Sequence, residues 1–184
     1  MYFDFLPRSG RALVYPVYKG TYERSAPAGS AGTSQERDLV VQWSKDLART
    51  VDYLESRGDF DRDKLAFYGY SLGASSALPA VALEPRFKTA ILLTGGLYDQ
   101  ASLPEIEPLH YLPRIKMPVL FLGGRYDFVF PVETSQAPLF KLLGTPVEHK
   151  KHVIFEGAGH VPPRIELIRE VLDWLDRYLG PVRR

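Results

Sequence analysis

Residues 65–77 read Leu-Ala-Phe-Tyr-Gly-Tyr-Ser-Leu-Gly-Ala-Ser-Ser-Ala, and the choice of fold turns on them. An apolar, aromatic run typical of a buried strand leads into Gly69-Tyr70-Ser71-Leu72-Gly73, and small residues that can open a helix follow at once. A strand that must reverse into a helix within so few residues forces its central residue into a strained backbone and tolerates only small neighbours on either side. The strain lifts the Ser71 hydroxyl above the sheet. It also leaves the Leu72 amide at a helix N-terminus, where a backbone N–H can meet a developing oxyanion. A glycine-rich turn with an incidental serine would look the same in isolation, so the rest of the chain must supply the setting.

Outward from this stretch, short apolar runs occur at 12–18 (ALVYPVY), 65–70, 89–96 (TAILLTGG), 118–124 (PVLFLGG) and 152–157 (HVIFEG). Each is continuous rather than alternating, as expected of parallel strands covered on both faces. Helical periodicity appears over 38–57, where Leu39, Val40, Trp43, Leu47, Val51 and Leu54 recur before Gly58, and over 72–83, 133–143 and 163–179. Residues 20–36, rich in Gly, Ser, Ala, Pro and Thr, read as a loop. Strand alternating with helix predicts an α/β fold with a doubly wound, mostly parallel sheet of about five strands.

At 184 residues the chain is expected to form one domain over 1–184. Hydrophobic residues make up 45% and charged residues 24%, which fits a globular protein and excludes a disordered or collagen-like chain. A net charge of +1, spread along the chain, offers no basic face to nucleic acid or anionic lipid. Zero cysteines exclude disulfides, thiolate nucleophiles and zinc–thiolate sites. No apolar run approaches the ~20 residues that span a membrane, and the start MYFDFLPRSGR lacks a signal-peptide pattern, so the expectation is a cytoplasmic protein.

A serine hydroxyl is a weak nucleophile until a base takes its proton and a third group orients that base. Of the four histidines, His110 lies in the loop PLHYLP, and His149 and His152 flank lysines where solvated side chains are the default. His160 follows the last strand in Glu156-Gly157-Ala158-Gly159-His160, at the carboxyl edge where such sheets hold ligands. The acid should fall between serine and histidine. Asp127, directly after PVLFLGG in Gly124-Arg125-Tyr126-Asp127-Phe128, is the preferred candidate; Asp99, after TAILLTGG, is the rival. A turn or cap aspartate is the ordinary alternative for either.

GYSLG, GGRYDFVFP and EGAGH together resemble the serine esterases and dienelactone-hydrolase-like members of the α/β-hydrolase superfamily, from about residue 11 to the C-terminus. The wording VYPVYKGTYER, LLGTP, HVPPR and LDWLDRYLGPV also resembles hydrolase domains fused behind bacterial protein-kinase-like regions. The resemblance implies Ser71 as nucleophile, Asp127 as acid, His160 as base and the Leu72 amide as one oxyanion donor. It implies strands ahead of ALVYPVY and a second oxyanion amide from a loop after the third family strand, and nothing before Arg11 corresponds to these. A shortened α/β-hydrolase, or one with a piece missing upstream, is therefore expected. ALVYPVY either pairs directly with LAFY or leaves a slot for another chain. Direct pairing would bring Tyr18, Lys19 and Gly20 beside Ser71, where an N–H, or the hydroxyl of Tyr18 or Tyr22, could replace the lost donor.

Only Leu97 to Lys116 lie between the sixth and seventh family strands, so no lid domain fits. An open site lined by Tyr70, Leu72, Tyr98, Phe128 and Phe130 suits small or medium acyl esters, with no cofactor and no metal. A peptidase, thioesterase or lactone hydrolase would share the fold, and a non-catalytic hydrolase-like module is the reading from another class. The uncharged segment from Ala12 to Tyr18, blunted only by Pro16, is an aggregation-prone edge unless covered, which leads to the expectation of a homodimer or higher assembly over Met1 to Thr21.

Overall fold

In the computed structural model, residues 3–25 and 30–182 are described; Met1 and Tyr2 of the expected interface and residues 26–29 of the expected loop lie outside them. Four parallel strands form one sheet in the order β1-β2-β3-β4: β1 (Ala66–Tyr70), β2 (Thr89–Leu93), β3 (Val119–Gly124) and β4 (Lys150–Phe155). Pairing Tyr70 with Leu93, Leu93 with Leu122, and Gly124 with Phe155 aligns the strand ends, so the four following loops emerge at one edge.

Residues 12–18 do not form the expected fifth strand, and β1 is the sheet's edge. The backbone at the end of this segment is bound by side chains instead of by a ladder. The Lys19 amide donates to Asp46 Oδ2 at 2.9 Å, Trp43 Nε1 donates to the Lys19 carbonyl at 2.7 Å, and Arg24 donates to the Val17 carbonyl at 2.7 Å. Pro16 has no N–H to offer a neighbouring strand. The segment is held by its side chains: Leu13 packs against one face's core, Tyr18 against the other, and Tyr15 stacks on Phe3 at 5.8 Å.

The continuous apolar runs bury both faces of the sheet. Ala90, Leu92, Val119 and Phe121 pack with Leu47 and Val51 of α2 (Ser34–Ser56), Leu78 and Val81 of α4 (Leu78–Leu83), and Leu139 of α5 (Ala137–Leu142). The alternate residues Ile91, Leu93, Leu120 and Leu122 meet Phe5 and Leu6 of α1 (Phe5–Arg8) and Leu167, Val171 and Trp174 of α6 (Arg164–Leu179). Each fully buried side chain of this size contributes about 1.5–3 kcal/mol from apolar transfer, so both helical layers are needed to stabilise the sheet.

Helix boundaries differ from the periodicity at their ends. α2 begins earlier than the apolar pattern, at Ser34, because the Thr33 side chain accepts from the Glu36 amide and Glu36 in turn accepts from the Gly32 amide. The predicted helix over 72–83 is two, α3 (Leu72–Ser75) and α4. The predicted helix over 133–143 opens with a π-helical turn, Val132–Gln136, before α5. The connection from β2 to β3 contains two short 3-10 turns, Pro108–His110 and Leu112–Arg114, with Leu112 and Ile115 buried in the core, and no lid domain. Among the described residues no helix is long and apolar enough to cross a membrane.

Candidate active site

Ser71 stands between β1 and α3 with φ 51° and ψ −111°, a backbone that L residues rarely adopt. The turn is held by the Ser71 amide donating to the Leu93 carbonyl at 2.8 Å and the Ala74 amide donating to the Ser71 carbonyl at 2.9 Å. The two glycines of the motif are not equivalent. A Cβ on Gly69 would sit 2.5 Å from the Gly73 carbonyl oxygen, whereas a Cβ on Gly73 would meet nothing within 4 Å. Gly69 is therefore demanded by the close approach of strand and turn, and the expectation that both neighbours must be small holds on one side only. As the first residue of α3, Leu72 directs an amide that has no acceptor within the helix.

His160 comes off β4 and Asp127 off β3, and both reach Ser71 across the sheet edge. Ser71 Oγ lies 2.9 Å from His160 Nε2, and His160 Nδ1 lies 2.9 Å from Asp127 Oδ2. The Asp127 side chain is fully buried, and its other oxygen, Oδ1, accepts from the amides of Val129 (2.9 Å) and Phe130 (3.0 Å). With both carboxylate oxygens engaged as acceptors, the proton on the imidazole sits on Nδ1 and the Nε2 lone pair faces the serine hydroxyl. Asp99 is exposed and takes no part in this arrangement.

The loops carrying Asp127 and His160 are stitched together. The Arg125 amide donates to the Phe155 carbonyl (3.0 Å), the Tyr126 amide to the Ala158 carbonyl (2.9 Å), and the Arg125 side chain pairs with Glu156. Gly124 makes the contact possible, because a Cβ there would stand 2.0 Å from the Gly159 carbonyl oxygen and 2.5 Å from that of Ala158. Gly124→Ala is therefore expected to push the His160 loop away and reduce any hydrolytic rate by about 10²-fold, the scale of a 1 Å misplacement. Gly157→Ala, where an added Cβ meets nothing within 4 Å, should leave the rate unchanged. Steady-state kinetics of the two variants side by side provides the check.

The backbone amides expected as oxyanion donors, those of Lys19 and Gly20, are engaged elsewhere. The Lys19 amide is taken by Asp46, and the Gly20 amide donates to the Arg24 carbonyl at 2.9 Å. Tyr18 packs against the α2-side core, and burial, aided by the Asp46 charge, pushes its phenol up to about 12, so it stays a neutral hydroxyl. Tyr22 is exposed. Among the expected lining residues, Phe128 is 85% exposed, Leu72 54% and Tyr98 50%. Phe130, at 1%, is not a lining residue: it lies beneath Tyr98 (ring centroids 5.1 Å) and beside His160 (6.1 Å). Tyr70 is partly buried against the α6-side core, its ring 6.0 Å from His160.

Sequence reading missed Gln136 and misjudged His152. Gln136 is fully buried and donates to the carbonyls of Gly124 (3.2 Å) and Phe130 (2.7 Å), and its Oε1 lies 3.2 Å from His152 Nε2. His152 is not a solvated residue flanking lysines but belongs to β4, its ring stacked on Phe121 at 4.6 Å and tilted against Phe140 at 5.3 Å. Burial, and secondarily the Arg125 charge, lower it from 6.5 to about 4. Between those values the unfolded chain takes up a proton that the folded chain refuses, so stability falls as pH drops from 6.5 toward 4. The expected loss is about 3 kcal/mol. Urea unfolding across this window should show it, and His152→Phe should flatten that part of the profile. No group of three or more potential metal-ligating side chains occurs among the described residues.

With this geometry in hand, the sequence model of the dienelactone hydrolase family matches residues 11–161. An uncharacterized Mycobacterium tuberculosis protein, found in two strains, is 25% identical over 169 residues, covering 82% of this chain and 56% of the relative. This chain thus spans little more than half the length of that relative. A crystal structure of a Thermus thermophilus protein superposes with TM-score 0.70 at 20% identity over 90% of this chain and 76% of the other. A cold-adapted esterase from an Arctic intertidal metagenomic library gives TM-score 0.59 at 23% identity over 77% of this chain and 59% of that one. At such identities these structural likenesses speak to the fold.

Proposed function

Because this chain belongs to the dienelactone hydrolase family of the α/β-hydrolase superfamily, we propose that it is a serine hydrolase cleaving small to medium acyl esters through an acyl-enzyme. The observation that carries the reading is the unbroken relay from Ser71 Oγ to His160 Nε2 and from His160 Nδ1 to Asp127 Oδ2. In acylation His160 Nε2 takes the serine proton as Oγ attacks the ester carbonyl. The Leu72 amide faces the developing oxyanion, and the imidazolium, steadied by Asp127, gives its proton to the departing alcohol. Water then repeats the sequence against the acyl-serine. The exposed side chains of Leu72, Tyr98 and Phe128 around an opening without a lid support a small apolar acyl or alcohol group over a long lipid chain.

The test is hydrolysis of p-nitrophenyl acetate and butyrate by the purified chain, with labelling of Ser71 by a fluorophosphonate. Turnover together with a single labelled serine supports the reading; neither turnover nor labelling sinks it.

One observation favours a second reading, a hydrolase-like binding module: the amides of Lys19 and Gly20 are already engaged, leaving Leu72 without a second donor from that segment. Loss of one oxyanion donor costs about 10²–10³ in rate, which slows an enzyme without silencing it. Absence of both turnover and fluorophosphonate labelling would point to this second reading.

A further inference from the structure

The loop that delivers Asp127 has little packing of its own. Between Gly124 and Phe130, the apolar side chains of Tyr126, Phe128 and Val129 are exposed at 72%, 85% and 42%, so hydrogen bonds must set the shape of the loop. Two of those bonds come from one side chain. Gln136 Nε2 donates to the carbonyl at the loop's start, Gly124, and to the carbonyl at its end, Phe130.

The amide is itself held in one orientation. With Nε2 facing two carbonyl oxygens, Oε1 is left as an acceptor, and its partner is His152 Nε2. His152 is locked between Phe121 and Phe140, and its low proton affinity keeps it neutral, with its single proton on the nitrogen that faces Gln136. Gly123 leaves the space: a Cβ there would lie 2.0 Å from Gln136 Oε1. The π-helical turn Val132–Gln136, in which the amides of Ser135 and Gln136 both reach the Pro131 carbonyl, brings Gln136 under the loop. Such wide turns are rare and often mark functional sites.

We infer that Gln136 is a positioning residue whose buried amide clasps both ends of the Gly124–Phe130 loop and so keeps the Asp127 carboxylate in register with His160, with His152 fixing the amide. The inference rests on the serine-hydrolase reading for its effect on rate, but its structural content stands independently. Gln136 touches neither substrate nor the reacting atoms and acts through Asp127.

The test combines a kinetic cycle with a crystal structure, using p-nitrophenyl acetate as the probe. Gln136→Leu should lower kcat by about 10- to 100-fold while KM stays within about twofold, the scale of a small misplacement of a catalytic group. In the Asp127→Asn background the same change should cost less than about twofold, because the group it positions has already been disabled. His152→Phe, which keeps the stacking but removes the donor to Oε1, should lower kcat by about three- to tenfold and carries the kinetic test if Gln136→Leu does not fold.

In a Gln136→Leu crystal structure, or that of His152→Phe in its place, Asp127 should be displaced from His160. Unchanged kcat in an active protein overturns the inference. So does a full multiplicative loss in the Asp127→Asn background, or a variant structure that keeps the Asp127–His160 contact. If the wild-type chain cleaves no ester, the crystal structure alone decides: displacement upholds the clasp while the hydrolase reading fails.

Discussion

On the proposed serine-hydrolase reading, replacing Ser71 by alanine is expected to remove ester hydrolysis by roughly 10⁴-fold or more, and His160→Ala to do the same, since nucleophile and base would act as one unit. The pair should also be non-additive: the double variant loses little beyond either single one. The fold should survive, because both side chains stand at the carboxyl edge, outside the two cores. Ser71→Gly separates chemistry from stability. Its activity should vanish equally, yet glycine accommodates φ 51° without penalty, so about 1 kcal/mol of stability should be gained. Hydrolysis of p-nitrophenyl butyrate with thermal melting of the four variants is the measurement. Retention of appreciable turnover by Ser71→Ala would remove that serine from the mechanism.

Asp127→Asn should lower kcat by about 10⁴-fold while Asp99→Asn leaves it unchanged. An asparagine at 127 that still accepts the Val129 and Phe130 amides on its oxygen turns its NH₂ toward His160, and the imidazole must then present a lone pair at Nδ1 and its proton at Nε2. In that tautomer Nε2 cannot accept from Ser71. A harmful Asp99→Asn beside a silent Asp127→Asn would reassign the acid, against the contact at 2.9 Å.

The sequence by itself determined what local sterics and patterning decide. Gly69 and Ser71 between an apolar strand and a run of small residues require one backbone path, because the strand and the turn approach too closely for a side chain at 69. Continuous apolar runs require a sheet buried on both faces, and the order serine, aspartate, histidine follows from the loops after β1, β3 and β4. What only the tertiary structure decided depends on which distant partner a polar group finds. ALVYPVY has the composition of a strand, but its end is claimed by Asp46, Trp43 and Arg24, two of them on α2, so the fifth strand and the donors expected from Lys19 and Gly20 are absent.

Phe130 and Phe128 are two residues apart and look alike in sequence, yet one is buried beside His160 and the other exposed, because the two amides that Asp127 Oδ1 binds, those of Val129 and Phe130, fold the chain back between them. Gln136 and His152 lie 16 residues apart on elements whose approach no periodicity reports. Their pairing exists only once β3 and β4 are side by side, and a buried amide is placed by the carbonyls it must satisfy rather than by its neighbours in the chain.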